Sequence, residues 1–458
     1  MKKGSITPAL LVITGAFLVV IYGLLMLLSV QLEYVQRRVA SEEALNIAEA
    51  GVNYYRWHLA HAPENFSGDT GIHEYTDPQG DVVGEYELEI TPPSQGSSVV
   101  TIKSTGRSFD NPNIKRTIIA AYGKQSFAKF AFLNNASAWY GDNITVHGDI
   151  HSNNGIRMDG TNTGIVSSAK EEYMCGSETG CHPPTHRPGV WGSGGDQSLW
   201  EFPVTFVDFD TVSFDFAAMR DSAQAEGLYL DNSRRYGYHL VFNANGTVTI
   251  SEIRRLGYYY GYLPSGEGLG NSGQGGCRQR YQRITQENNL GTYNLDETPI
   301  IFVEDDVWVE GTVNGRVTVV AAGFPVQSRT QNIWINNNIV YANYDGSNAL
   351  GLIAQNDIYF ARDIPLDFRI DGALLAQKGR IVRHGYLWWC GGWGDEIKDS
   401  LTINGAMISF GKSYWNYGDP LESGFYEREI FYDGNLLYAP PPYFPTTGEY
   451  QFITWKEE

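Results

Sequence analysis

A mainly β protein carried on one long N-terminal helix is the fold class this sequence predicts, on three observations. Ile6 to Leu32 contains no charged residue. The stretch after it keeps a helical stripe as far as His61. From there on, short alternating runs bounded by Gly, Asn and Pro dominate, and a block of about 25 residues recurs. Together they predict a transmembrane and stalk helix, a small antiparallel sheet, and a right-handed β-helix-like solenoid interrupted by a long insertion.

The helix comes first. About 20 apolar residues suffice to cross a bilayer core, and a cleavable signal peptide has a shorter apolar region ending at a small-residue cut site. No such site follows here, so residues 5–32 are read as a retained transmembrane helix behind a leader at 1–4. Lys2 and Lys3 favour a cytoplasmic N-terminus, although Arg37 and Arg38 beyond the span weaken that bias. Leu45, Ala48, Val52, Tyr55 and Leu59 recur at spacings of three and four, which extends the helix as an amphipathic stalk over 33–62. Gly51 is its weak link and Pro63 its stop. From Pro8 to His61 the rod is about 80 Å long at 1.5 Å per residue.

Next comes a small sheet over 63–124. GEYELEITPP, SSVVTIKSTG and IKRTIIAAYG are each alternating or β-branched and bounded by turn residues. Taken with the basic leader ending in Gly4, the Ser5-Ile6-Thr7 start, the apolar helix and the IAEAG stretch around Ala48–Gly51, these 124 residues resemble type IV pilin-like proteins. The nearest resemblance is to minor pilins with a PilX-type N-terminal region. It implies cleavage by a prepilin peptidase between Gly4 and Ser5 and packing against other pilin-like subunits through the helix. It also implies an inner or cytoplasmic membrane anchor in the cell envelope, with the head outside the cytoplasm. Major subunits of the family carry glutamate at the fifth mature position, where this chain has Ala9. That departure is tolerated in certain minor, tip-located pseudopilins and argues against a bulk filament subunit.

The head is assigned to residues 125–458. ITVHGDIHSNNGI (144–156), VWVEGTVNGRVTVV (307–320), FRIDGALLAQKGRI (368–381) and LTINGAMISFGKSY (401–414) align on a shared glycine. Val307, Ile333 and Ile358 mark a period of about 25 residues, the signature of stacked repeats. Ala354, Ala373, Ala376 and Ala406 are the expected small interior residues, and the Asn-rich turns can adopt left-handed backbone and hydrogen-bond along a ladder. Residues 165–298 read as an insertion holding the helix-like FAAMRDSAQAEG, and 435–458 as a Pro- and aromatic-rich end cap.

Composition narrows function. A net charge of −19 argues against nucleic acid as a partner. Four cysteines in an exported chain fit two disulfides, Cys175–Cys181 and Cys277–Cys390. Cys175, Cys181, His182 and His186 also offer a zinc alternative, but five residues between the thiols exceed the usual spacing. No cofactor is expected. Glycan cleavage needs facing carboxylates. Asp305 and Asp306 are adjacent and leave a strand on opposite faces. A lyase would instead need clustered acids for calcium and a basic residue to take a proton, and Asp357 and Asp371 with Arg369 and Arg380 on nearby coils are the candidates, although acids at such turns read first as solvated. His147 and His151 read as structural, and the S-x-x-K matches at 126 and 409 as chance. Tyr258, Tyr259, Tyr260, Trp388, Trp389, Trp393 and Trp415 lie among glycines and are candidate binding aromatics for a glycan or surface partner.

The expectation is a non-enzymatic, minor, tip-type subunit whose head serves adhesion or interaction. Its rivals are a membrane-tethered polysaccharide-active β-helix enzyme and a plain anchored adhesin that keeps its leader.

Overall fold

A computed structural model describes residues 7–94, 97–209, 216–264, 275–325, 330–392 and 396–458. Gly4 and Ser5 lie outside the described residues, and so does Trp393. The chain divides into two compact units.

The first unit is a helix on a sheet. Helix α1 (Thr7–His61) is continuous, and it stops two residues before Pro63. Leu10 to Val39 is exposed, whereas Ala40, Ala44, Ile47, Ala48, Val52, Tyr55 and Leu59 are buried at helical spacing. Ile47 to Leu59 of this set pack with Tyr86 and Leu88 of β2 (Val82–Thr91), Val100 and Ile102 of β3 (Val99–Ser108) and Ile118 and Ala120 of β4 (Lys115–Ser126), and β1 (Gly71–Thr76) pairs with β2. Each fully buried large apolar side chain stabilises this face by roughly 2–3 kcal/mol. Gly51, the weak link by propensity, has a packing reason: a Cβ there would meet Ser104 Oγ at 2.3 Å and the Tyr86 ring at 2.7 Å. The sheet has five strands, in the order β1-β2-β3-β4 followed by Thr446–Glu457. The last strand corrects one expectation. The 435–458 segment is not a single end cap. Leu436 and Phe444 pack in the second unit, but Thr446–Glu457 joins β4, with Glu458 N donating to Thr117 O.

The second unit is built of parallel ladders. In one, Ile300–Val303, Arg316–Ala321, Ala349–Ala354, Asp367–Ala376 and Ile397–Ser409 pair in succession. In another, Tyr238–Asn243, Val307–Val313 and Ile333–Tyr341 do the same, and Ile358–Phe360 and Ile381–Arg383 continue from it. In register, Val307, Ile333, Ile358 and Ile381 form one buried column, while their neighbours Trp308, Trp334, Tyr359 and Val382 form a second on the opposite face. That alternation is the period-2 pleat. The glycines shared by the four aligned blocks sit at corners. Gly148, Gly311, Gly372 and Gly405 all have φ above +100°, and a Cβ on Gly311 would lie 2.2 Å from Phe242 O.

Spatial order departs from chain order. Phe132 pairs with Met407 and Ile144 with Arg428, so the first strands of the unit stack on its last ones. Leu228–Leu230 and Tyr238–Asn243 lie at the other end, on Ile300–Val303 and Val307–Val313. Much of 165–298 therefore extends the stack instead of interrupting it. Val166–Ser168, Val190–Trp191 and Trp200–Glu201 are ladder strands of two or three residues, too short to show alternation in sequence. Antiparallel pairs within it include Glu172–Cys175 with Thr185–Pro188 and the long hairpin Thr247–Leu263/Gly276–Asn294. Its Ile253, Leu256 and Leu263 cover the Trp308–Trp334–Tyr359 column, and Gln282 O accepts from Trp308 Nε1 at 2.8 Å. FAAMRDSAQAE is a helix (Phe216–Glu226), burying Phe216, Met219 and Ala223 against another ladder face.

Candidate functional site

Three surfaces carry functional weight. The first is the outer half of α1. An 18-residue window of it has mean hydropathy 2.7 and buries nothing, so the helix is long and apolar enough to cross a membrane. Ala9 lies in its first turn. Charge begins at Glu33, and Arg37 closes an i,i+4 ion pair with it at 2.7 Å.

The second is aromatic. Cys277 is bonded to Cys390, tying the turn Trp388–Cys390 to the start of strand Gly276–Asn294. Around this link the rings of Tyr258, Tyr260, Tyr281, Trp388 and Trp389 are exposed, Trp388 by 77% and Trp389 by 52%. Tyr258 stacks edgewise near Tyr260 (5.8 Å) and Tyr281 (5.5 Å), and Trp389 meets Tyr262 at 5.2 Å. Tyr259 is held differently: its hydroxyl donates to Asp363 Oδ2 at 2.6 Å and the Arg362 guanidinium lies 4.6 Å over its ring. Trp415 is not a surface ring. It is 6% exposed, packs near Phe132 and Phe360, and donates Nε1 to Ile381 O at 3.0 Å. Within its block SYWNYGDP, Tyr414 makes a parallel bridge with Val382 and is half-buried like Asn416, while Trp415 between them turns inward.

The third is a cleft of about 710 Å³ in the second unit, lined in part by Trp139, Arg157, Lys412, Tyr414, Trp415 and Arg428. Trp139 is 41% exposed. Its Nε1 donates to Asp159 Oδ2 at 2.8 Å, Arg157 Nε donates to the same oxygen at 2.7 Å, and the Arg157 guanidinium lies 4.1 Å over the indole. Asp159 also accepts from the backbone N–H and hydroxyl of Ser193, and these bonds with Arg157 hold its carboxyl below the usual range despite burial. Lys412 is 5% exposed and lies 4.7 Å from the Tyr414 ring and 5.7 Å from that of Trp139. Among the described residues its ammonium has no hydrogen-bond acceptor and no carboxylate at ion-pair distance. Burial lowers it to about 7, against a smaller upward pull from Glu178 and with a further downward push from Arg157.

No protein-family model matches the chain, and no curated protein does. Among solved structures, the crystal structure of the competence-associated pilin ComZ from Thermus thermophilus aligns with 92% of this chain and 98% of its own length. The identity is 14% and the TM-score 0.32.

The remaining candidates are placed as follows. Cys175 is bonded to Cys181, so both sulfurs are withdrawn from any zinc site, and His182 and His186 are exposed beside them. Asp305 accepts from Ser233, and Asp306 from Asn332. Asp357 accepts from the Tyr359 hydroxyl at 2.6 Å and Arg380 N at 2.7 Å. Asp371 accepts from Tyr341 N, the Tyr344 hydroxyl and Arg369 Nε. His151 is buried between Ser167 and Asn153, and His147 stacks on Phe431 at 4.7 Å. Trp139 and Arg157 were not singled out in the sequence, and Lys412 was met there only as the lysine of the S-x-x-K match at 409, set aside as chance. The available signal was its place in an aligned block, where the equivalent positions are Gly155, Thr318 and Gly379.

Proposed function

We propose that this chain is a non-enzymatic, minor pilin-like subunit, anchored in the envelope membrane by the outer half of α1 and presenting a β-helix-like head for interaction. The observation that carries the reading is the division of one unbroken helix. Leu10 to Val39 is exposed and is apolar as far as Leu32, and from Ala40 to Leu59 one face is covered by the subunit's own sheet. A simple tether needs only the first half to be a helix. A rigid 55-residue rod, half already packed and half left bare, suits a subunit stored in a bilayer and then laid beside other helices. The glutamate that bulk subunits of such filaments use is replaced by Ala9, which supports a rare or tip position. The head's contact surface in this reading is the exposed aromatic cluster around Cys277–Cys390.

Support for a non-enzymatic role comes from the carboxylates. Asp357 and Asp371, the acids a lyase would use, are engaged in internal hydrogen bonds.

The test is fractionation of the native cells. Filaments sheared from the surface are expected to contain the chain at far below stoichiometric amounts, with the remainder in the membrane. Confinement of the whole pool to the membrane would overturn assembly, and stoichiometric incorporation along the filament would overturn the minor, tip-type placement.

A further inference from the structure

The cleft beside Trp139 has features that the assembly reading leaves unused. Lysine is almost never fully buried unless it is paired. Lys412 is nearly fully buried, yet what surrounds it is aromatic: Tyr414 at 4.7 Å and Trp139 at 5.7 Å. Asp159, a carboxylate of the cleft wall, is occupied by Arg157, Trp139 and Ser193. Glu178 acts on Lys412 only from beyond ion-pair distance, and its carboxylate accepts from Gly176 N at 3.1 Å. Arg428, on the same wall, has a buried Nε without a partner. Two inward cations thus lack a full set of acceptors, while the acids Asp142 and Asp419 stand on the exposed rim.

A partly exposed indole beside the unpaired ammonium of a nearly buried lysine fits a ring with an apolar C–H face that carries a single carboxylate. A phosphate-rich polymer suits it poorly, because the rim acids repel a continuous line of charge. We propose that this cleft binds an acidic saccharide, with a sugar ring against Trp139 and its carboxylate on the Lys412 ammonium. The inference rests on reading the head as the interacting part of the subunit. It does not require assembly into a filament, and it places recognition in the cleft, separate from the aromatic cluster around Cys277–Cys390.

The site has a pH dependence. The charged and titratable groups facing Lys412 are Arg157 and Asp159 from one wall, Glu178 from the turn Ser177–Thr179, Arg428 from strand Gly424–Tyr432, and Tyr414 from its own segment. Because burial holds the free ammonium near 7, carboxylate binding is full below neutrality and falls as the pH rises above it.

The full chain in detergent micelles is titrated calorimetrically with four probes that carry at most one carboxylate each: galacturonic acid, its methyl ester, mannuronic acid and sialyllactose. At pH 6 at least one free acid is expected to bind, and if it is galacturonic acid, about tenfold more tightly than the ester, the scale of one charged hydrogen bond. Lys412→Met should weaken binding of that acid about tenfold, and between pH 6 and 8.5 the wild-type affinity should decline while that of Lys412→Met stays flat. Trp139→Ala, at an exposed position, should weaken binding of the same acid severalfold without loss of fold. Failure of all three acids to bind overturns the proposal, as does equal affinity for acid and ester or wild-type affinity in both variants. None of these outcomes bears on where the chain fractionates, so the two readings fail separately.

Discussion

His239 illustrates how much one side chain can hold in the head. Its Nδ1 meets Glu287 Oε2 at 2.8 Å and its Nε2 meets Glu310 Oε1 at 2.9 Å, which joins the long hairpin to the parallel stack. Burial pulls the imidazole down, but hydrogen bonds and charge from both glutamates outweigh it, so its pKa lies above the ordinary 6.5. Glu310 is correspondingly depressed below 4.5. The raised histidine contributes stability fully below pH 6.5 and loses it as the pH climbs through the folded value. The depressed glutamate contributes above 4.5 and loses it as the pH falls through its own. His239→Gln should therefore cost about 1–2 kcal/mol between roughly pH 5 and 6.5, discounted for the partly exposed Glu287. By pH 9 the deficit should have shrunk. Thermal melts of both proteins across that range check it, and a deficit constant with pH would contradict the charged bridge. Residues of this kind were hard to read in sequence, since Glu287 and Glu310 are 48 and 71 positions away. The same holds for Lys412. By contrast Gly51 and Gly311 were visible as glycines in patterned segments, and only the neighbouring backbone and rings show why each is needed.

Among the elements, the helix, the first antiparallel strands and the four aligned blocks were legible because their signals are local: periodicity, a shared glycine, a proline stop. The last strand of the small sheet was not. TTGEYQFITWKE reads as a strand or a tail equally well, and its partner β4 begins over 300 residues earlier. Sequence pattern specifies which face a strand buries but not which distant edge it joins. The two- and three-residue ladder strands between Val166 and Glu201 were hidden by brevity. The final strand carries a prediction of its own. It seals the β4 edge, places Phe452 5.7 Å from Tyr122, and pairs Glu457 with Arg116. Deleting residues 449–458 should raise amide exchange in β4 by at least about tenfold, a loss of the order of one to two edge hydrogen bonds per residue. Exchange in Val307–Val313 should be unchanged. Unaltered β4 protection would show that the sheet is complete without its fifth strand.

Taken as a molecule, the chain inserts its larger unit between two neighbouring strands of the smaller one, β4 and Thr446–Glu457. The head is thus tied to the sheet at both ends of its sequence, and the sheet in turn holds the inner half of α1. The apolar part of the helix is left bare, and in the proposed function it is a handle that is processed and kept for assembly. Intact-mass measurement with N-terminal sequencing of the protein from native membrane and filament fractions tests that most directly. The account predicts a mature chain starting at Ser5, with Gly4 and everything before it removed. A chain starting at Met1 in both fractions would contradict it and leave an anchored surface protein.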